Sequence, residues 1–252
     1  MRITTFLNQK GGTAKSTSAH ATATGLNQRG YKALVIDADP QGNISYSMGA
    51  DPAQTGLYDL LKGNAGIADA IQHTAQGDII TSSLDLAGAD MEFTQTGREY
   101  LLREALEDLP EGYTHVIIDS PPALGIMSIN ALTASGDVVI PACPDMYSLQ
   151  GLQQLLATVQ RVRKYSNPGL KIAGLLITRK GMNTIATRTM IDQIKASAAA
   201  AGIDVYRATI REATAIREAQ IMRESLFDHA PGAKVTGDYK AFIDEYTAQE
   251  GE

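Results

Sequence analysis

Apolar residues along the chain fall into short continuous runs separated by stretches of helical length. Arg2 to Asn8 reads as a strand ending in a glycine-rich turn, Lys15 to Arg29 has helical character with Gly30 as its stop, and Lys32 to Asp37 is a second strand. Further strands are expected at Asp78 to Ser82, Thr114 to Ile118, Asp137 to Ala142, Lys171 to Thr178 and Asp204 to Arg207. Strands that are apolar nearly throughout, rather than alternating, are buried on both faces. The pattern therefore predicts an α/β fold with a mostly parallel sheet covered by helices on both sides. Around Leu57 to Ile71 glycines break the pattern, and short helices are expected there. No repeat or long linker interrupts the chain, so residues 1–252 are read as a single domain.

Composition narrows the classes. Hydrophobic residues make up 44% and charged residues 20%, an ordinary globular balance. Cys143 is the only cysteine, which excludes an internal disulfide framework and a multi-cysteine metal site and fits a reducing compartment. No apolar run approaches a membrane span, and Met1-Arg2-Ile3 leads directly into the first strand without a secretory segment, so a cytoplasmic protein without membrane attachment is expected. The net charge of -6 hides an asymmetry: between Arg161 and Arg223 twelve Lys and Arg face four Asp and Glu, a local +8 that leaves -14 for the rest. A basic third inside an acidic chain is either a solvated face or a one-sided electrostatic footprint.

The first turn carries the chemistry. Asn8-Gln9-Lys10-Gly11-Gly12-Thr13-Ala14-Lys15-Ser16-Thr17 fails the ordinary G-x-x-x-x-G-K-[ST] frame twice, because Gln9 and Ala14 stand where glycines belong. The physics of a phosphate cradle is still there. A strand delivers a Gly-Gly turn, a helix begins near Lys15 with its positive end towards the turn, and the Ser16 hydroxyl can reach Mg²⁺. A Cβ is costly at a left-handed position, so Ala14 is expected to have negative φ, with the loop already turning into the helix.

The segment fits the variant K-G-G-x-x-K-[ST], and with it the chain resembles the ParA family of deviant Walker A partition ATPases. The resemblance continues through Val35 to Asn43 with its Asp37-Ala38-Asp39-Pro40, through Ser83 to Ala89, Val116 to Gly125, Asn130-Ala131-Leu132, Ile140-Pro141 and Leu149-Gln150-Gly151-Leu152. It implies a P-loop NTPase three-layer fold, ATP and Mg²⁺ as cofactors, and hydrolysis of ATP to ADP and phosphate stimulated by a partner and DNA. It further implies nucleotide contacts from Lys10, Gly11, Gly12, Thr13, Ala14, Lys15, Ser16, Thr17, Asp39 and Asp119, and a magnesium site of Ser16 and Asp119 with Asp37 beside it. Lys10, Lys15 and Asp39 would be catalytic: Lys15 on the β- and γ-phosphates, Asp39 positioning the attacking water, and Lys10 reaching the nucleotide of a second copy in an ATP-sandwich homodimer.

The same resemblance gives the basic third a use. Arg179, Lys180, Arg188, Arg211, Arg217 and Arg223 become candidates for contacts to double-stranded DNA without sequence preference, in a nucleoid-associated protein working with a ParB-type centromere-binding partner in plasmid or chromosome partition. Relatives sharing the loop fit less well. One cysteine cannot supply a bridging cluster, and the acidic C-terminus lacks the basic amphipathic helix of the membrane-associated regulator MinD. A ParA-like ATPase that positions a protein cargo on the nucleoid is the alternative, and a MinD-like membrane regulator the weaker one. The segment Thr209 to Ala219 lacks the Ile-Pro-Arg-Asn run common in the family, so no adenine contact is assigned.

Overall fold

The computed structural model describes residues 1–181 and 184–249, with the backbone alone for 146–150. Residues 250–252, which belong to the acidic C-terminus, and the Leu149 and Gln150 side chains of the last quoted motif lie outside the described residues.

Eight strands form one sheet: β1 (Arg2–Phe6), β2 (Ala33–Asp37), β3 (Ile71–Thr74), β4 (Gly77–Ile80), β5 (His115–Asp119), β6 (Asp137–Ala142), β7 (Lys171–Lys180) and β8 (Val205–Arg211). Their order across the sheet is β3-β4-β2-β5-β1-β6-β7-β8, and every pairing is parallel except the β3–β4 hairpin. Consecutive residues of the central strands serve different layers. Val35, Ile117, Val139 and Leu176 pack with helix α1 (Lys15–Gln28) and helix Lys234–Ala248 on one face. Leu34, Ile36, Val116 and Ile118 face helices Leu57–Lys62, Leu101–Glu107 and Ile126–Ala134 on the other. On that second face Val138, Ile140, Leu175 and Ile177 also meet helices Met146–Tyr165 and Ile185–Ala200. Burial on both sides is why these strands read as unbroken apolar runs.

The edges of the sheet differ most from the sequence expectation. The short helices of the Leu57 to Ile71 region end at Ala70, and Ile71 opens an edge strand whose Gln72 and His73 pair with Ile79 and Asp78. The last strand runs to Arg211 rather than Arg207. Its exposed edge is capped by carboxylates of helix Lys234–Ala248: Glu245 accepts from the N–H groups of Arg207 and Ala208, both at 2.8 Å, and Asp238 from that of Arg211. Occupied edge donors lengthen the strand without offering a row for another chain to pair with.

Candidate active site

Register brings the chemistry together. Asp119 lies opposite Phe6 of β1 on one side and Asp37 of β2 on the other, so two strand-end carboxylates and the loop leaving β1 meet at the carboxyl edge of the sheet. That edge, where chain connections diverge to opposite sides, is where open parallel sheets bind ligands. Here it opens into a cavity of about 650 Å³ lined by the whole segment Lys10 to Thr17, with Asp39, Gln41, Asn43, Tyr46, Ser47, Pro122, Arg217, Gln220 and Ile221 forming the rest of the wall.

The loop is held from outside. Thr178 Oγ1 donates to the Thr13 carbonyl at 2.8 Å, Arg179 Nη1 to the Gly12 carbonyl at 2.9 Å, and the Asn8 side chain ties the Lys10 N–H to the Pro141 carbonyl. The carbonyls of 12 and 13 are thus committed to β7. Gly12 adopts φ 78° and Ala14 φ 58°, which corrects the expectation of a negative φ at Ala14. The Ala14 carbonyl also accepts from the Ser18 N–H at 2.8 Å to open α1. With its two preceding carbonyls fixed and its own turned into the helix, the chain reaches Lys15 only through a left-handed residue, and the alanine bears the strain. No side chain caps the start of α1 and no acid lies in its first turn, which leaves its N–H groups and positive end for an anion.

Inside the cavity Lys15 Nζ lies 2.6 Å from Asp119 Oδ1, 3.5 Å from Ser16 Oγ and 3.7 Å from Asp39 Oδ2. Asp119 is fully buried, and its Oδ2 is the buried side-chain oxygen among the described residues that has no hydrogen-bond partner. Burial raises the Asp119 carboxyl and the Lys15 ammonium opposes the rise. Burial also lifts Asp37 to about 7, helped by the charge of Asp119 and opposed by the N–H and hydroxyl of Ser45. Asp37 Oδ2 accepts from both Ser45 groups, at 2.9 and 2.8 Å, and its Oδ1 from the Asp39 N–H. Ser82, at the end of the β4 segment, donates its hydroxyl to the Asp39 carbonyl at 2.6 Å and its N–H to Ser45 Oγ. Asp37, Ser45, Ser82 and Asp39 form one buried network around the lysine.

The donor set suits Mg²⁺. No cluster of three His, Cys, Asp or Glu side chains forms a metal cage among the described residues, whereas an orphaned carboxylate oxygen stands beside a serine hydroxyl at the start of a helix. Mg²⁺ is typically held by one or two protein groups and completed by phosphate and water. Ser16 and Asp119 would hold it here, and Asp37, engaged by Ser45, would stand behind them.

Lys10 is placed differently. Its ammonium lies 2.5 Å from Asp145 Oδ2 of the same chain, at the lip of the loop. The basic candidates differ in their partners. Arg179 turns to the phosphate loop and pairs with Glu212, and Arg211 forks onto Asp238 with Nε and Nη2. Arg217 lines the cavity, and Arg223 stacks 4.4 Å over the Tyr46 ring from a left-handed position. Lys180 is half-buried at the end of β7, and Arg188 is exposed on helix Ile185–Ala200. Sequence reasoning missed Ser45, Ser82, Asp145 and Thr178. Only Ser82 and Thr178 carried a signal, as polar residues closing strand-like runs at the same edge as Asp119.

Comparison with known proteins agrees with this geometry. A family model described as an AAA domain matches residues 1–172. The chromosome partitioning protein ParA of Caulobacter vibrioides is 38% identical over 226 residues, covering 87% of this chain and 84% of its own. The chromosome-partitioning ATPase Soj of Thermus thermophilus is 34% identical over 250 residues, 99% of this chain and 96% of its own. Among solved structures, a cobyrinic acid a,c-diamide synthase of Mycobacterium smegmatis with bound ATP analogue and magnesium superposes with a TM-score of 0.88 at 30% identity, over 99% of this chain and 95% of that one. The phosphate loop with its additional lysine, the carboxylates on neighbouring strands and relatives matched over most of the chain lead to one assignment: the chain belongs to the ParA/Soj family of P-loop ATPases.

Proposed function

We propose that this protein is an Mg²⁺-dependent ATPase that dimerises around two ATP molecules, binds DNA without sequence preference and drives plasmid or chromosome partition with a ParB-type partner. The observation that carries the catalytic part is the buried cluster in which Lys15 lies within 2.6 Å of Asp119 and 3.7 Å of Asp39 while Asp119 Oδ2 has no partner. The identity of 34–38% to partition proteins supports the biological part. The diamide synthase activity for which the structural neighbour is named is not carried over, since its identity of 30% is lower.

In this reading the N–H groups of the loop and of the first turn of α1 receive the phosphates, and Lys15 moves from Asp119 to the β- and γ-phosphates. Bound Mg²⁺ would neutralise charge on the phosphates from Ser16 and Asp119. Asp39 accepts a hydrogen bond from the attacking water and aims it at the γ-phosphorus, so that the bond to the β-bridging oxygen breaks and ADP and phosphate leave. Its own main chain is fixed by Ser82 and Asp37, which holds the carboxylate in place. Lys10 acts only when a second copy offers its nucleotide, and it must first leave Asp145. Of the basic residues, Arg188 and Lys180 are the better placed for DNA, since Arg179 and Arg211 are occupied by acids.

Asp39→Ala tests the assignment. The variant should bind ATP and form the ATP-dependent dimer in sedimentation while hydrolysis disappears, because the phosphate cradle is untouched. Normal turnover would overturn it.

A further inference from the structure

Helix Thr214–Met222 approaches the phosphate loop with one face. Gln220 donates to Thr17 Oγ1 at 3.4 Å, and Arg217, three residues earlier, shares that face. Both residues line the main cavity, and both line a second cavity of about 260 Å³ with walls that include Ile210, Ala213 and Ile216. Gly12, Ala14 and Thr17 also border both cavities, so Arg217 stands between the two.

The other cations lining these cavities are committed within the chain. Lys15 pairs with Asp119, Lys10 with Asp145, Arg179 with Glu212, and Arg211 with Asp238. Arg217 makes no hydrogen bond or ion pair among the described residues. Glu212, whose charge it feels, is already engaged by Arg179.

We propose that Arg217 is a nucleotide-binding residue, taking the α-phosphate and ribose end of ATP or ADP rather than DNA. The inference rests on the ATP-binding reading above. Lys15 and Ser16 serve the β- and γ-phosphates, and Thr17 follows on the side from which the smaller cavity opens. That cavity offers Ile210, Ala213 and Ile216 to the sugar and base beside the paired Arg179, Glu212 and Arg211, and Arg217 is the arginine of its lining without an acid partner among the described residues. A guanidinium offers a fork of N–H donors that matches a phosphate or a pair of hydroxyls. Because Arg217 breaks no existing bond to engage, its whole interaction goes into binding. The basic run seen in the sequence is therefore divided, and this arginine serves the substrate.

Calorimetric titration of ADP and ATP in the presence of Mg²⁺ into wild type, Arg217→Gln and Arg217→Lys tests this, with DNA binding measured at saturating ATP. Arg217→Gln should weaken ADP and ATP alike by about tenfold, and Arg217→Lys should recover part of the loss. The melting temperature of the nucleotide-free protein should stay unchanged, since no contact is lost. Unchanged ADP affinity with DNA binding lost would assign Arg217 to DNA and overturn the proposal. Unchanged ADP affinity with the ATP-dependent dimer lost would assign it to a second copy and also overturn it. Wild type that binds neither nucleotide would remove the ATPase reading itself, a failure seen before any variant is compared.

Discussion

Ala14→Gly probes the strain in the phosphate loop. Alanine at φ 58° places a Cβ against its own carbonyl, at a cost of about 1 to 2 kcal/mol that glycine does not incur. Glycine also frees the unfolded chain, which offsets about 0.4 to 1 kcal/mol of that relief. The difference is a net stabilisation of about 0.8 kcal/mol, equivalent to roughly 2 to 3 °C in melting temperature for a chain of this size. Thermal and urea unfolding of the nucleotide-free protein measure it, and the midpoint should rise with an unchanged urea slope. Gly12→Ala is the opposing control. At φ 78° its new Cβ would lie 3.3 Å from Arg179 Nη1, so both backbone strain and the Arg179 bond to the Gly12 carbonyl are disturbed, and the midpoint should fall. If the left-handed turn persists with nucleotide bound, the strain cancels from binding, and ATP affinity in Ala14→Gly should change less than about threefold, or 0.7 kcal/mol. A lower melting temperature for Ala14→Gly would refute the strain argument. Severalfold tighter ATP binding would mean that the turn opens when the phosphates arrive.

Two further outcomes follow from the buried and paired charges. Lys10→Gln should leave nucleotide binding through Lys15 and Ser16 intact and abolish the ATP-dependent dimer in sedimentation; because the Lys10–Asp145 pair is one-third exposed, stability of the empty protein should change by less than about 1 kcal/mol. Burial lowers His20 to about 4, and its Nε2 donates to Gln76 Oε1, so the folded state holds it neutral; its contribution is present above pH 6.5 and lost as pH falls through 4, about 3 kcal/mol in all. Asp37, raised to about 7, acts in the opposite sense, contributing below pH 4 and losing that contribution as pH rises through 7. The readout is therefore the stability difference between wild type and His20→Gln, which should shrink from pH 7 to pH 4; a constant difference would contradict the burial argument.

The central strands and the phosphate loop were legible because each is written in consecutive residues. Asp37 and Asp119 could each be recognised as closing an apolar run, but their adjacency depends on β2 pairing with β5, a relation between residues about eighty apart that no local pattern encodes. The same holds for Lys10, whose companion Asp145 is 135 residues away. The hairpin strand at Ile71–Thr74 escaped notice because four residues at a sheet edge, with Gln72 and His73 in the middle, carry too little apolar signal to separate them from the short helix before them. The pairing of charges within the basic third was hidden in a different way. A window of sequence counts Arg211 as free charge, whereas Asp238, from a helix outside that window, grips it through two nitrogens. The sign of φ at Ala14 was missed because the carbonyl bonds from Thr178 and Arg179 that impose it come from the far end of another strand.

The site is organised so that nucleotide and metal support each other. Lys15 is the partner of Asp119 and is itself buried, and the two share one short bond beneath the loop. For Lys15 to turn to a phosphate it must leave a carboxylate at zero exposure with Asp37 and Asp39 nearby, and an unpaired buried charge costs about 3 to 5 kcal/mol. Nucleotide alone would meet that penalty in full. A divalent cation held by Asp119 would remove it, since the carboxylate would keep a positive neighbour when the lysine moves, and Asp119 Oδ2, which has no hydrogen-bond partner, would be available to hold it. By linkage, ATP and Mg²⁺ should each raise the affinity for the other by the same factor. Asp119→Asn would uncouple them: the amide needs no counter-charge, so Lys15 is released and metal-free nucleotide should bind at least as tightly as in wild type, while the gain on adding Mg²⁺ largely disappears.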